Sequence, residues 1–121
     1  MGECDPRTPV LVGACAVQQK LPDYREAGEA VALMARSLRG ALDDAGSEVL
    51  LSRVGEILVP KGIWSYSDPG RLLATSLGCR GDVDTLVAEI GVSQQTRINR
   101  AGARIASGEI EVAMVTGAEA K

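Results

Sequence analysis

The residues best placed for chemistry are those of the turn Glu89–Thr96, which reads Glu-Ile-Gly-Val-Ser-Gln-Gln-Thr. An apolar run precedes this turn and an amphipathic pattern follows it, so it connects a predicted strand to a predicted helix. Open α/β sheets bind ligands at the carboxyl ends of their strands. A helix N-terminus at that place attracts an anion and lowers the pKa of a nucleophile. A nucleophile on this turn would be exposed, but the central residues Gly91, Val92, Ser93 and Gln94 include no cysteine.

Three polar residues of this turn, and one acid predicted at the same end of the sheet, have two interpretations each. The Ser93 hydroxyl would need a base to become a nucleophile, and the sequence contains no histidine; the favoured interpretation is that Ser93 is a helix N-cap. Gln94 and Gln95 are able to donate hydrogen bonds to a substrate carbonyl, or are simply polar residues of a first helical turn. Glu119, which follows the last predicted strand, is either a substrate-binding acid at the same end of the sheet or a solvated loop residue.

The three cysteines do not form a metal site. Cys4, Cys15 and Cys79 lie too far apart in sequence for a zinc knuckle, and none is part of a CxxC pair. We expect free thiols in a reducing cytoplasm, with no metal bound. Cys15 follows an apolar run and is predicted to be a small core residue. Cys79 is predicted to be the more exposed thiol, and the neighbouring Arg80 would lower its pKa.

Composition excludes several classes of function. The net charge is −3 and the basic residues are interleaved with acids, which argues against nucleic-acid binding. The turn Gly13–Val17 lacks the glycine spacing of a dinucleotide fingerprint, and no GxxxxGK[ST] motif occurs. No window of about 18 apolar residues is present, so no membrane span is expected. The composition, 45% apolar and 24% charged, is that of a soluble globular chain.

Strand and helix patterns alternate along the chain. The loop Lys61–Ser67 contains the only tryptophan, and packing over a helix end is favoured for it over a surface contact with a partner. The order β-α-β-α-β-α-β predicts a mainly parallel sheet covered by helices on both faces. The predicted strands are Pro9–Val12, Val54–Val59, Thr85–Ile90 and Val112–Thr116. The predicted helices run from about Ala27 to Ala45 before Gly46, from Asp68-Pro69 to Leu77 before Gly78, and from Ser93 or a neighbour to Gly108, with Ile98, Ala101 and Ile105 facing inward.

The last predicted strand is followed by only a few residues before Lys121. A parallel sheet with its newest strand at the centre needs a further strand and a covering helix. We therefore expect residues 1–121 to be a partial domain, one piece of a longer polypeptide.

Three segments, taken in order, resemble the thiolase superfamily. Ala103–Ala120 resembles the stretch in which a helix ends in A-x-G and a strand then leads to G-x-E, here Gly117-Ala-Glu119. Pro9–Gly13, with the helix pattern that ends at Gly46, resembles the opening of that fold. Ser67–Ala74 is similar to the acetyl-CoA acetyltransferase-like branch related to sterol-carrier thiolases. The resemblance implies the N-terminal half-domain of a thiolase-like fold.

The same resemblance implies an activity and a ligand. Thiolases catalyse reversible Claisen condensation and thiolytic cleavage of acyl-CoA, with coenzyme A or acyl-CoA as substrate and no covalently bound cofactor. A cysteine at the turn before the third helix takes the acyl group, but here the turn reads Gly91-Val-Ser-Gln94. The downstream histidine and cysteine motifs would lie beyond Lys121. Thiolases often dimerise through the third strand, here Thr85–Ile90, although acids at Asp82, Asp84 and Glu89 would oppose such pairing.

Three functions follow as hypotheses. The first is an acyltransferase of the thiolase family, acting in lipid metabolism in the cytoplasm together with the remaining part of the polypeptide. The second is a diverged thiolase-like protein that binds coenzyme A or acyl-CoA without turnover. The third is a structural fragment that assembles with a complementary chain through exposed strand edges.

Overall fold

The computed structural model describes residues 5–20, 28–88 and 94–119 of the chain, with the backbone alone at Ala88 and Gln94. These residues form helices and strands in alternation, as the apolar patterns predict. In chain order the elements are α1 (Ala30–Ala45), a short 3-10 helix (Glu48–Arg53), β1 (Val54–Pro60), α2 (Pro69–Leu77), β2 (Asp84–Ala88), α3 (Gln94–Ala106) and β3 (Val112–Val115).

The sheet has β1 at its centre. Its strand order is β2-β1-β3, and both pairs are parallel. In register, Leu58 of β1 lies beside Leu86 on one side and Val115 on the other. The prediction of a parallel sheet with helices between the strands is therefore confirmed.

The two faces of β1 carry different side chains because successive residues of a strand point to opposite faces. Ile57 and Val59 are fully buried in the apolar core formed with α1 and α2. Glu56, also fully buried, is bonded to arginines of α3 on the other face. The sheet is thus covered by α1 and α2 on one side and by α3 on the other. The core residues on the first side are Ala30, Met34, Leu38, Leu42, Val54, Ile57, Val59, Leu73, Ala74, Leu77, Val83 and Met114.

The helix ends follow the predicted capping chemistry. The Asp68 carboxylate accepts a hydrogen bond of 3.0 Å from the backbone N–H of Arg71, and Pro69 is the first residue of α2. Gly46 and Gly78 end α1 and α2 in the left-handed region, with φ of 78° and 80°, which a side chain would make costly. The prediction that the first helix begins near Ala27 falls on a residue outside the described ranges.

The predicted first strand, Pro9–Val12, is wrong for the described residues: this segment forms no strand and pairs with no described strand. Val10, Leu11 and Val12 are 71%, 87% and 55% exposed. The segment is attached instead to α1, where the Ala14 N–H donates to an Asp44 carboxylate oxygen at 2.9 Å. The prediction failed because a short apolar run indicates burial but does not identify a pairing partner. The described sheet therefore has three strands instead of the four predicted.

The inward face of α3 was also only partly predicted. Ala101 is buried, but Ile98 is 52% exposed and Ile105 is half-buried. The buried position on the turn before Ala101 belongs to Arg97, which is 6% exposed. Apolar periodicity missed this residue because charged side chains carry no apolar signal. Among the described residues, no helix has the length and apolarity to cross a membrane.

Candidate functional site

The carboxyl end of the sheet is formed by segments that follow β1 and β3. The loop Lys61–Ser67 leaves β1, and the tail Thr116–Glu119 leaves β3. The first turn of α3 reaches the same end because a crossover helix runs antiparallel to the parallel strands that it connects. Ligands of open α/β sheets bind at this end. This region is therefore the candidate functional site.

Trp64 joins the loop to the tail. Its indole N–H donates a hydrogen bond of 3.1 Å to the Ala118 carbonyl oxygen. The Lys61 ammonium lies 4.8 Å from the centre of the Trp64 ring and donates to the Trp64 carbonyl oxygen at 3.0 Å. A cation in this position is attracted by the aromatic face. The loop and the tail therefore form one connected surface over the ends of β1 and β3.

Tyr66 connects this surface to the start of α1. Its ring lies 5.3 Å from that of Trp64, centre to centre. Its hydroxyl donates to a Glu29 carboxylate oxygen at 3.1 Å and accepts a longer bond, 3.4 Å, from the Val31 N–H. The Tyr66 hydroxyl thus occupies the N-terminal end of α1, where helix N–H groups lack intrahelical partners. The prediction that Lys61–Ser67 packs over a helix end is confirmed.

Glu119, a candidate from the sequence, lies at the predicted end of the sheet. One of its carboxylate oxygens accepts a hydrogen bond of 2.8 Å from the Ile63 N–H, and the same oxygen lies against Gly62. A side chain at position 62 would collide with this oxygen and with the Trp64 ring. Glu119 therefore fixes the loop after β1 to the tail after β3, although its side chain remains exposed.

The predicted nucleophile turn is not among the described residues. Gly91, Val92 and Ser93 lie outside the described ranges, and Gln94 is the first residue of α3, described by its backbone only. The roles of Ser93 and Gln94 stay predictions. Gln95 uses its side-chain amide within the helix, where it donates to the Asn99 side chain at 2.9 Å.

The two described cysteines differ from the predictions. Cys15 is exposed rather than a core residue, because Pro9–Val12 does not enter the sheet. Cys79 is half-buried, and this burial raises the pKa of its thiol. The expected lowering of this pKa by Arg80 is not found, and the Arg80 guanidinium pairs with Asp82 at 3.2 Å. In the described part of the chain, no group of three His, Cys, Asp or Glu residues has an arrangement suited to a metal ion.

The α3 face of the sheet contains an ion-pair network that sequence reasoning missed. The Arg104 guanidinium contacts Glu56 at 3.0 Å, Asp84 at 3.1 Å and Glu109 at 3.0 Å. The Arg100 Nε donates to the same Glu56 oxygen, Oε1, at 3.0 Å. The spacing of the arginines at positions 97, 100 and 104 places them on one side of the helix, and this pattern was the available signal.

Hydrogen bonding in this network raises the pKa of Arg104. The bond to Glu109 is the largest cause; partial burial opposes it, and Asp84 and Glu56 add to it. The cluster keeps Glu56 in place although its carboxylate is only 1% exposed. Among the described residues, its second oxygen, Oε2, is buried and has no hydrogen-bond partner, and the same holds for the Arg97 Nε.

An apolar groove of about 1040 Å³ runs along β3 between α1 and α3. The segment Pro9–Val17 lies at this groove, and both helices contribute mostly small or aliphatic side chains to it. In the described sheet β3 pairs with β1 alone, so the outer edge of β3 has unpaired backbone groups facing the groove. The groove therefore offers apolar walls together with the hydrogen-bonding edge of a strand.

No protein-family model and no curated protein matches this sequence. Solved structures do match in fold. A monomeric SCP2-thiolase-like protein type 1 from Mycobacterium smegmatis aligns with 93% of this chain at 25% identity and a TM-score of 0.77. A variant of OleA from Xanthomonas campestris, solved with bound lauric acid and lauroyl-CoA, aligns with 74% of the chain at 18% identity and a TM-score of 0.66.

The similarity covers only part of those proteins. This chain spans 24% of the Mycobacterium smegmatis protein and 27% of OleA. Both neighbours have the thiolase-superfamily fold, so the resemblance inferred from the three sequence segments is confirmed, as is the thiolase-like fold of the chain.

Proposed function

We propose that this chain, whose fold is thiolase-like, is the N-terminal part of a thiolase-like protein that binds coenzyme A thioesters. The observation that carries the proposal is the alignment of 93% of the chain with an SCP2-thiolase-like protein. The OleA structure with lauroyl-CoA supports a coenzyme A derivative as the ligand class. The carboxyl end of the sheet, with Trp64 and the Glu119 link, is the proposed place of contact.

We favour ligand binding over Claisen chemistry. The turn Gly91–Gln94 has no cysteine to accept an acyl group. In this proposal the thioester is held by loops and by the remaining part of the polypeptide, so its binding does not require the nucleophile. The second candidate is acyl transfer of the acetyl-CoA acetyltransferase type, in cytoplasmic lipid metabolism, which the lauroyl-CoA complex of OleA also supports.

The rest of a longer polypeptide, or a complementary chain, is part of the proposal. This chain spans about a quarter of its structural neighbours. An acyl chain in the groove beside β3 would pack against its apolar walls but would leave the backbone groups of the strand edge unpaired. Backbone groups that are buried without hydrogen-bond partners cost free energy. A β-strand satisfies both. Pairing of two copies through β2 is the alternative assembly.

Trp64 provides the test of binding because it is the only tryptophan. The full chain is titrated with acetyl-CoA, lauroyl-CoA and free coenzyme A, with fluorescence excited near 295 nm and heat of binding measured in parallel. We expect saturable binding that changes the Trp64 emission. The Lys61→Met variant, which removes the cation beside the ring, is expected to change the Trp64 emission of the free chain. No heat and no fluorescence change with any of the three ligands contradicts the proposal.

A second experiment separates binding from catalysis. Ser93→Ala is compared with the unchanged chain for condensation of acetyl-CoA and for affinity. A binding role predicts that both proteins have equal affinity for acetyl-CoA and that neither turns it over. Condensation by the unchanged chain that is lost in Ser93→Ala supports the acyltransferase candidate instead.

A further inference from the structure

The outer edge of β3 carries backbone groups that have no partner among the described residues. The Thr116 N–H donates to the Leu58 carbonyl oxygen of β1 at 3.1 Å. The N–H and C=O of one strand residue point to the same side, and this side alternates along the strand. Ala113 and Val115 therefore direct their backbone groups away from β1. In the described sheet β3 pairs with β1 alone, so these groups face the apolar groove.

The two helices that border the groove have aliphatic walls. Leu38 and Leu42 of α1 line it on one side, and Ala101 and Ile105 of α3 line it on the other. Side chains on either face of a strand placed here would therefore meet apolar surface. Strands that are buried on both faces have continuous apolar runs, whereas strands with one solvated face alternate. The groove thus fits a strand with consecutive apolar residues.

The N-terminal segment also lines the groove and bridges its two walls. Pro9 lies beside Gly102 of α3, and Cys15 lies against Gly40 of α1. Between these contacts, Val10–Val12 are more than half exposed and form no backbone hydrogen bond with any described residue. Three consecutive apolar residues are therefore left uncovered beside the unpaired edge of β3.

We propose that this groove binds one β-strand of the remaining polypeptide, with apolar residues on both faces, which pairs with the outer edge of β3 and covers Val10–Val12. A helix bonds its own backbone groups and an acyl chain has none, so neither satisfies the strand edge. An added strand satisfies the edge and the walls together. The chain spans only 24% and 27% of its structural neighbours, and the site rests on the proposed function in taking the strand from the part outside residues 1–121.

The acetylated and amidated peptide KKVIVIVKK is the probe for this site. Its apolar run is long enough to cover the four residues of β3, and its lysines keep it in solution. The control peptide KKVIPIVKK has the same length and charge, but its proline removes one N–H and interrupts strand pairing. The full chain is expected to bind the first peptide about tenfold more tightly, measured as heat of binding, because the control leaves a strand-edge carbonyl unpaired. Equal affinity for the two peptides overturns the strand site.

Amide hydrogen exchange locates the bound peptide. Slower exchange is expected at Ala113 and Val115, whose N–H groups gain partners, and at Val10–Val12, which become covered. Met114, whose backbone groups face β1, is expected to stay unchanged. Peptide binding without slower exchange at Ala113 and Val115 overturns the pairing with β3. Slower exchange at β3 alone overturns the placement of the strand beside Val10–Val12.

Two variants of equal exposure test the apolar wall. Ile98 lines the groove on α3 and Leu72 lies on α2 away from it, and both residues are 52% exposed. Ile98→Asp is expected to weaken peptide binding about tenfold, because it places a charge against a buried apolar strand. Leu72→Asp should change the affinity by less than about twofold. Thermal unfolding checks that both variants fold. Equal affinities in the two variants overturn the site.

Two other occupants are distinguished by the same variants. Lauric acid that binds the unchanged chain but not Ile98→Asp, with no binding of KKVIVIVKK, assigns the groove to an acyl chain. Sedimentation that shows a dimer of the chain alone, which Ile98→Asp loses, assigns the groove to a second copy. Either result overturns the strand site.

Failure of the strand site is distinguishable from failure of the proposed function. Binding of KKVIVIVKK at β3, with no binding of any coenzyme A compound, retains the strand site and contradicts only the thioester proposal. Thioester binding by a chain that does not distinguish the two peptides contradicts only the strand site.

Discussion

The two faces of the sheet are stabilised by different physical means. On the face covered by α1 and α2, Met34, Ile57 and Leu73 are fully buried among other apolar side chains. On the face covered by α3, a fully buried Glu56 and a largely buried Arg104 belong to a network of charges. Both faces exclude water, but only the first does so with groups that need no specific partner.

This difference determines how each face responds to change. Apolar burial is non-directional and contributes in proportion to the area removed from water. A buried ion pair gains little over apolar groups of the same size, yet it is strongly destabilising when one partner is lost. The α3 face is therefore expected to contribute less to stability and more to the choice of a single arrangement of the helix.

The largest effect is expected on the apolar face. Ile57→Ala removes a fully buried side chain from β1 and should lower the free energy of unfolding by about 2–5 kcal/mol, through lost burial and the cavity left behind. The matched control is Leu72→Ala on α2, whose side chain is 52% exposed, with an expected change within about 0.5 kcal/mol. Urea unfolding measures both. Equal losses in the two variants would contradict the described core.

The second effect tests the charged face. Glu56→Gln keeps the size of the side chain and removes the charge that Arg100 and Arg104 share. We expect a loss of about 1–3 kcal/mol, because two donors then face a weaker acceptor in a buried place. Asp84→Asn is the control, since Asp84 is 64% exposed and its pair with Arg104 should contribute less than about 1 kcal/mol. A smaller loss for Glu56→Gln than for Asp84→Asn would show that the network is not needed.

A third, smaller effect concerns the polar group that begins α2 on the apolar face. Asp68→Ala removes the hydrogen bond to the Arg71 N–H and should cost about 1 kcal/mol. Ser47→Ala is a matched control because Ser47 precedes the 3-10 helix without a side-chain capping bond, so its loss should be close to zero. Similar losses in both variants would contradict the cap.

The apolar face was largely predictable from sequence, and the charged face was not. Leu38 and Leu42 recur at helical spacing, and the signals at Asp68 and Gly78 act within a few residues, so they define the ends of the helices. The bond between Arg100 and Glu56 joins residues 44 positions apart. No local pattern encodes such a pairing, although the acid inside an apolar strand was a sign that a partner exists.

The candidate site was likewise predictable only in part. The position of Glu119 at the carboxyl end follows from strand order, and the packing of Lys61–Ser67 over a helix end follows from its aromatic residues. The attachment of Trp64 to Ala118 could not be predicted, because it depends on how two loops meet after the sheet has formed. Pro9–Val12 shows the opposite error, since an apolar run with β-branched residues predicts a paired strand and the described sheet does not include it.

The smallest expected effect is a difference in reactivity between the two described thiols, of which one is packed against the apolar face and the other is exposed. Cys79 lies against the apolar core of α1 and α2, and burial raises the pKa of its thiol, so less thiolate is present at any given pH near the ordinary range. Cys15 is exposed. Iodoacetamide at pH 8, with sites identified by mass spectrometry, should therefore modify Cys15 several-fold faster than Cys79, because the thiolate is the reactive form.

The raised pKa of Cys79 also makes the free energy of unfolding depend on pH. A raised pKa in the folded state means that folding favours the neutral thiol. The stability that this provides is fully present below the pKa of the unfolded thiol and is lost as the pH rises through the pKa of the folded thiol. Unfolding of the unchanged chain should therefore become slightly easier between pH 8 and pH 10, relative to Cys79→Ala. Faster labelling of Cys79 than of Cys15, or an equal pH dependence in Cys79→Ala, would mean that the end of α2 opens more readily than the apolar packing of this face implies.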